Sequence, residues 1–168
     1  MFNKTLKYTG FLILGFLLFW GCEELLRRKV GGFAGSYPFV EPFTLLANEQ
    51  EIIEAIKELS KTNPNFHPPE NIPQITERDS SNEYSYWLNI KLYYPDTQEI
   101  VHTWTRPEKD KDYTTFSFFA LSNYDHPTDY RLINRDFWFL ENKREISRFK
   151  TTFVDEIKKQ IDTMRKIR

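Results

Sequence analysis

Two periods organise the apolar and polar positions of this chain. Ile52, Ile53, Ile56 and Leu59 recur at helical spacing, with Glu51, Glu54, Lys57, Glu58 and Lys61 around them. That is the signature of an amphipathic helix. Asn48 and Glu51 form a capping box at its start, each side chain answering a backbone N–H that the first turn leaves unpaired, and Asn63-Pro64 ends it. Ile146, Phe149, Phe153, Ile157 and Ile161 repeat the helical pattern near the C-terminus. There the spacing of Asn142 and Glu145 predicts a second capping box. Lys158, Lys159, Arg165, Lys166 and Arg168 gather at the far end, where the helix dipole favours cations.

Between these helices the period shortens to two. Residues 84–94 put Tyr84, Tyr86, Leu88, Ile90 and Leu92 on one face and Ser85, Trp87, Asn89, Lys91 and Tyr93 on the other. Pro95-Asp96-Thr97-Gln98 is turn chemistry, and 99–106 is a second strand, so the pair predicts a hairpin. Pro107 and the alternating charges of 108–112 end that strand, and the aromatic, β-branched run 113–121 is a third. Residues 130–133 and 136–140 are weaker candidates, the second of which also fits as a lead into the last helix. Residues 62–83, polar and broken by Pro64, Pro68, Pro69 and Pro73, read as a long loop. The order predicts an α+β fold: an antiparallel sheet of three to four strands, with an N-terminal helix and a long C-terminal helix packed on one face.

Composition changes this picture little. Hydrophobic residues make up 40% of the 168 and aromatics 17%, enough apolar surface for one folded core. Lys and Arg number 23 against 24 Asp and Glu, without the basic excess that nucleic-acid binding requires. No nucleic-acid partner is expected. A single cysteine excludes an intrachain disulfide framework and a multi-cysteine zinc site.

The position of that cysteine is informative. Residues 1–8 carry Lys4 and Lys7, residues 9–21 carry no charge, and Gly21-Cys22 follows. An apolar run this short falls below the roughly 20 residues that cross a bilayer as a helix, which favours a signal peptide. The leader resembles that of bacterial lipoproteins, in which a small residue precedes a cysteine that is diacylated and becomes the new N-terminus. Phe19 and Trp20 depart from that pattern. The resemblance implies a signal peptide over 1–21, lipidation of Cys22, a membrane partner and a place in the bacterial cell envelope, with the domain outside the cytoplasm. The other reading is an uncleaved signal anchor, followed by Arg27, Arg28 and Lys29. Residues 22–47 then form a tether. Gly31, Gly32, Gly35, Pro38 and Pro42 punctuate it, while Phe33, Tyr37, Phe39, Val40 and Phe43 predict partial ordering against a single domain over 48–168.

The chain lacks H-E-x-x-H, G-x-S-x-G, C-x-x-C and G-x-G-x-x-G, and no cofactor or metal is implied. His67, His102 and His126 lie in separate segments; His67 and His126 sit in turn-rich stretches, where solvation accounts for them. Register supplies a candidate site. A hairpin centred between Asp96 and Thr97 sets Lys91 against His102, Asn89 against Trp104, and Trp87 against Arg106. It also sets Leu88, Ile90 and Leu92 against Thr105, Thr103 and Val101 on the core side. Trp87, Asn89, Lys91, His102, Trp104 and Arg106 would form a binding patch of the kind found at interface hot spots. The same residues would equally stabilise a sheet without binding anything. The chain is thus read as a non-enzymatic binding or accessory module with an unknown protein or envelope component as partner. A tethered hydrolase or glycan-processing enzyme using a carboxylate pair is one rival, and a structural subunit of a membrane complex is the other.

Overall fold

The structure, a computed structural model, describes residues 2–30, 39–76, 87–109 and 111–167. The glycine-rich part of the tether, 31–38, and the strand residues expected at 84–86 lie outside the described residues. The elements run α1 (Phe2–Val30), β1 (Glu41–Leu45), α2 (Glu49–Ser60), β2 (Ile75–Thr76), β3 (Leu88–Tyr94), β4 (Glu99–Pro107), β5 (Thr114–Asn123), β6 (His126–Leu132), α3 (Phe139–Phe149), a π-helical segment (Lys150–Val154) and α4 (Asp155–Ile167).

The sheet is antiparallel and larger than the three to four strands expected, with six among the described residues in the order β1-β5-β4-β3-β2, while β6 also pairs with β5. β1 and β2 are not expected from the sequence and β6 extends the weak candidate at 130–133 back to His126; all three carry weak sequence signals, for distinct reasons. β1 is short and contains Pro42, which an edge strand tolerates because its N–H need not join the ladder. β2 has two residues, too few to display alternation. β6 is exposed along nearly its whole length, so neither face selects apolar residues. Residues 136–140 form no strand and lead into α3 instead.

One sheet face carries Leu88, Ile90, Leu92 and Tyr94 from β3, opposite Thr105, Thr103, Val101 and Glu99 from β4, with Phe116, Phe118 and Leu121 from β5. Onto it pack Ile52, Ala55 and Ile56 of α2 together with Phe149, Phe153, Val154, Ile157 and Ile161 of the C-terminal helix. Phe149 stacks on Phe118 with centroids 4.5 Å apart and planes at 12°. The threonines on this buried face are satisfied: the Thr103 hydroxyl donates to the Ile90 carbonyl, Thr105 to Glu49, and Thr114 to the Ala47 carbonyl.

The C-terminal helix begins four residues earlier than the Asn142–Glu145 spacing predicts, with Trp138 rather than Asn142 ahead of its first turn. Its first turn is closed by the Glu141 carboxylate, which accepts from the Trp138 N–H at 3.4 Å. Asn142 lies inside α3 and is buried; it accepts from the Asn134 N–H and donates to the Asn134 side chain. Tertiary partners have thus taken the groups that a cap would use. The apolar stripe runs 149, 153, 157, 161, and a four-residue step overshoots a helical turn by about 40°. The wider turn at Lys150–Val154 absorbs that drift and keeps both halves on the sheet.

At the other end of the chain, the stretch Tyr8–Lys29 of α1 is long and apolar enough to cross a membrane, with none of its most apolar window buried. Its C-terminal turn joins the domain through hydrogen bonds. Arg27 and Arg28 both donate to the Phe137 carbonyl, at 2.8 and 3.1 Å, and both pair with Glu24 at 2.7 Å. Glu24 fixes the two guanidinium groups, and these cap a carbonyl just ahead of α3.

Candidate functional site

The hairpin turn is four residues long, so the register centred between Asp96 and Thr97 is the one observed. Lys91 faces His102, Asn89 faces Trp104, and the core-side pairs fall as expected. Trp87 precedes β3 and packs edge-on against the Trp104 ring, with centroids 6.2 Å apart, rather than joining a ladder pair with Arg106.

Burial divides the six residues expected to form one patch. Asn89 is exposed, and Trp87, Lys91 and Arg106 are half-buried. His102 and Trp104 are only 4% and 5% exposed. The His102 imidazole lies 2.7 Å from the Ser122 hydroxyl and meets the Tyr130 ring edge-on at 4.7 Å. Burial, reinforced by the Lys91 ammonium, pushes its pKa down from 6.5 to about 4, so the ring is neutral near pH 7. His102 and Trp104 therefore support the face from beneath and offer no free surface to a partner. Arg106 is engaged by Glu108 at 2.7 Å, which in turn accepts from Thr115. His67 and His126 are both exposed.

A second cluster escaped sequence reasoning. An open cleft of about 400 Å³ lies between the β3–β4 turn and the start of α3, lined by Asp96, Thr97, Glu99, Arg131, Phe137, Glu141, Arg144, Glu145 and Arg148. Arg148 is its hub. The guanidinium contacts both Asp96 oxygens at 2.7 and 2.9 Å, lies 3.6 Å from Glu99 and from Glu145, and stacks 3.6 Å over the Tyr94 ring. Arg131 pairs with Glu141 at 2.8 Å, and Arg144 with Glu145 at 3.5 Å. The hydrogen bond from Arg131 holds the Glu141 carboxyl below the usual carboxylate range. In sequence the partners Asp96 and Arg148 are 52 positions apart. The only local hint was the turn chemistry at 95–98, where Gln98 adopts a φ of 55°.

The cleft's chemistry is that of paired charges. Every carboxylate lining it has an arginine within 3.6 Å. A general acid needs the opposite, a carboxyl held protonated near neutrality. Among the described residues no group of three or more His, Cys, Asp or Glu is arranged to hold a metal ion. Compared with known protein families, with curated proteins and with solved structures, the chain matches none.

Proposed function

We propose that this chain is a membrane-anchored lipoprotein of the bacterial envelope whose domain, outside the cytoplasm, is a non-enzymatic accessory module that holds a partner protein through the charged cleft. The observation that carries this reading is the double role of Phe137, whose side of the chain lines the cleft while its carbonyl is the acceptor for Arg27 and Arg28 of the tether. A partner seated in the cleft would be held next to the anchored end of the protein. Ion pairs already formed in the free protein favour recognition over proton transfer, because their arginines are positioned to exchange an internal carboxylate for a partner's. Asn89 and Lys91, on the accessible rim of the sheet face, supply a second contact region of the kind expected from the sequence.

Two measurements test the reading. A photo-crosslinking residue in place of Arg144, which is highly exposed, should give one discrete protein adduct in native membranes. That adduct should fade with added salt and be lost in Arg131→Glu. Absence of an adduct from a folded chain would remove the cleft as the contact site. The anchor is tested by metabolic palmitate labelling of Cys22→Ser, and retention of the label would remove Cys22 as its attachment point.

A further inference from the structure

Outside the cleft, a concave apolar surface lies where α1 meets α3. A groove of about 690 Å³ is lined by Trp20, Gly21, Glu24, Leu25, Arg28, Trp138, Phe139 and Leu140. On the domain side Trp138 is 69% exposed and Leu140 is 72% exposed, an unusual pair to present at the start of a helix. On the tether side Leu25 and Leu26 are also exposed. Trp20 meets Phe139 edge-on at 5.4 Å.

Trp138 and Phe139 each have a cation beside the ring. The Arg28 guanidinium lies 4.6 Å from the Trp138 ring and the Lys143 ammonium 4.2 Å from Phe139. Arg27 and Lys29 add two further positive charges to the last turn of α1. Tryptophan and basic residues flanking exposed aliphatic side chains match the boundary between acyl chains and anionic headgroups, where an indole has an apolar body and a polar edge to satisfy.

We infer that Trp138, Phe139 and Leu140 form a second membrane contact, inserting into the headgroup region of an anionic bilayer beside the N-terminal anchor. The inference rests on the anchoring reading above, in which cleavage ahead of Cys22 leaves Glu24, Leu25 and Arg28 as the tether's side of the groove, and deepens it. One attachment lets a domain swivel; two fix which face it turns to the membrane. The Arg27 and Arg28 bonds to the Phe137 carbonyl hold the knuckle and the anchor at a set spacing.

The test uses the full chain reconstituted in phosphatidylethanolamine–phosphatidylglycerol vesicles, with lipids brominated near the headgroup as quenchers. The difference between the native chain and Trp138→Phe isolates the emission of Trp138 from that of the other tryptophans. The expected difference spectrum is blue-shifted and loses about half its intensity with the brominated lipid. Vesicle flotation is measured alongside. A chain that floats while its Trp138 emits as a water-exposed indole, unquenched, overturns the second contact and leaves the anchor standing. A chain that does not float overturns both. Circular dichroism confirms that the Trp138→Phe chain is folded.

Discussion

Lys91 and His102 stand directly opposite each other on β3 and β4, and the ammonium of the first adds to the burial that keeps the imidazole of the second neutral. The pair makes stability depend on pH in a defined direction. In the unfolded chain His102 titrates at its ordinary 6.5, whereas in the fold it is pushed down to about 4. Its contribution is fully present above 6.5. As pH falls from there toward 4 the unfolded state takes up a proton that the folded state refuses, and stability is lost. The interval corresponds to about 3 kcal/mol. Urea midpoints at neutral pH and near pH 4.5 should fall further for the native chain than for His102→Gln, which has no proton to take up. Equal falls would exclude the His102 origin.

Tyr94 offers a gain in stability. Its hydroxyl is buried with no hydrogen-bond partner among the described residues, and burial raises the phenol's pKa far above its ordinary value. Tyr94→Phe keeps the ring under Arg148 and against Phe153 while removing that desolvated hydroxyl. The variant is expected to be more stable by about 1 kcal/mol in denaturant titration. Destabilisation would mean that the hydroxyl has a partner.

Arg148 combines a planar fork with a stacked ring, so lysine is a poor substitute. Arg148→Ala should cost about 1–2 kcal/mol, and Arg148→Lys should recover less than half of that loss, because an ammonium can neither hold Asp96 with one nitrogen while a second faces Glu99 and Glu145 nor stack on Tyr94 in the same way. Full recovery in Arg148→Lys would reduce the site to a simple charge requirement.

Phe149 touches Phe43, Phe116, Phe118 and Phe153 at the point where α3 gives way to the π-helical segment. Phe149→Ala leaves a cavity between the sheet and the helix layer and should cost about 3–5 kcal/mol. Equilibrium unfolding followed by fluorescence and circular dichroism measures it, and a loss below about 1 kcal/mol would contradict this placement in the core.

At α2, Asn48 accepts from the Glu51 N–H at 2.9 Å while the Glu51 carboxylate accepts from the Asn48 N–H at 3.1 Å. Asn48→Ala should cost about 1 kcal/mol. Glu51→Ala should cost more, since that carboxylate also pairs with Arg165 at 2.9 Å and so ties α2 to α4. Equal losses in the two variants would show that the link to Arg165 contributes nothing.

Much of this fold is legible residue by residue. The helix at Asn48, the β3–β4 hairpin and the C-terminal stripe are each written in local periodicity, and the four-residue turn carries the hairpin register with it. β1 and β2 are not, and β6 is legible only in part, as the candidate at 130–133, because edge position, brevity or exposure on both faces removes the alternation that marks a strand. The helix cap at Trp138 rather than Asn142 follows from the same limit: a side chain suited to capping was used in a contact with Asn134 that no local pattern reveals.

The candidate sites divide in the same way. Local sequence determined which residues share a sheet face, since alternation and turn length are short-range properties of the backbone. Only the tertiary structure decided that His102 and Trp104 are buried while Asn89 is exposed, because burial depends on what is laid over a face. It also decided that Arg148 reaches Asp96 and that Arg27 and Arg28 reach the Phe137 carbonyl across 110 and 109 positions of chain. Charges so far apart carry no mutual signal along the chain, and their pairing is set by where the helices settle once the apolar stripes are buried.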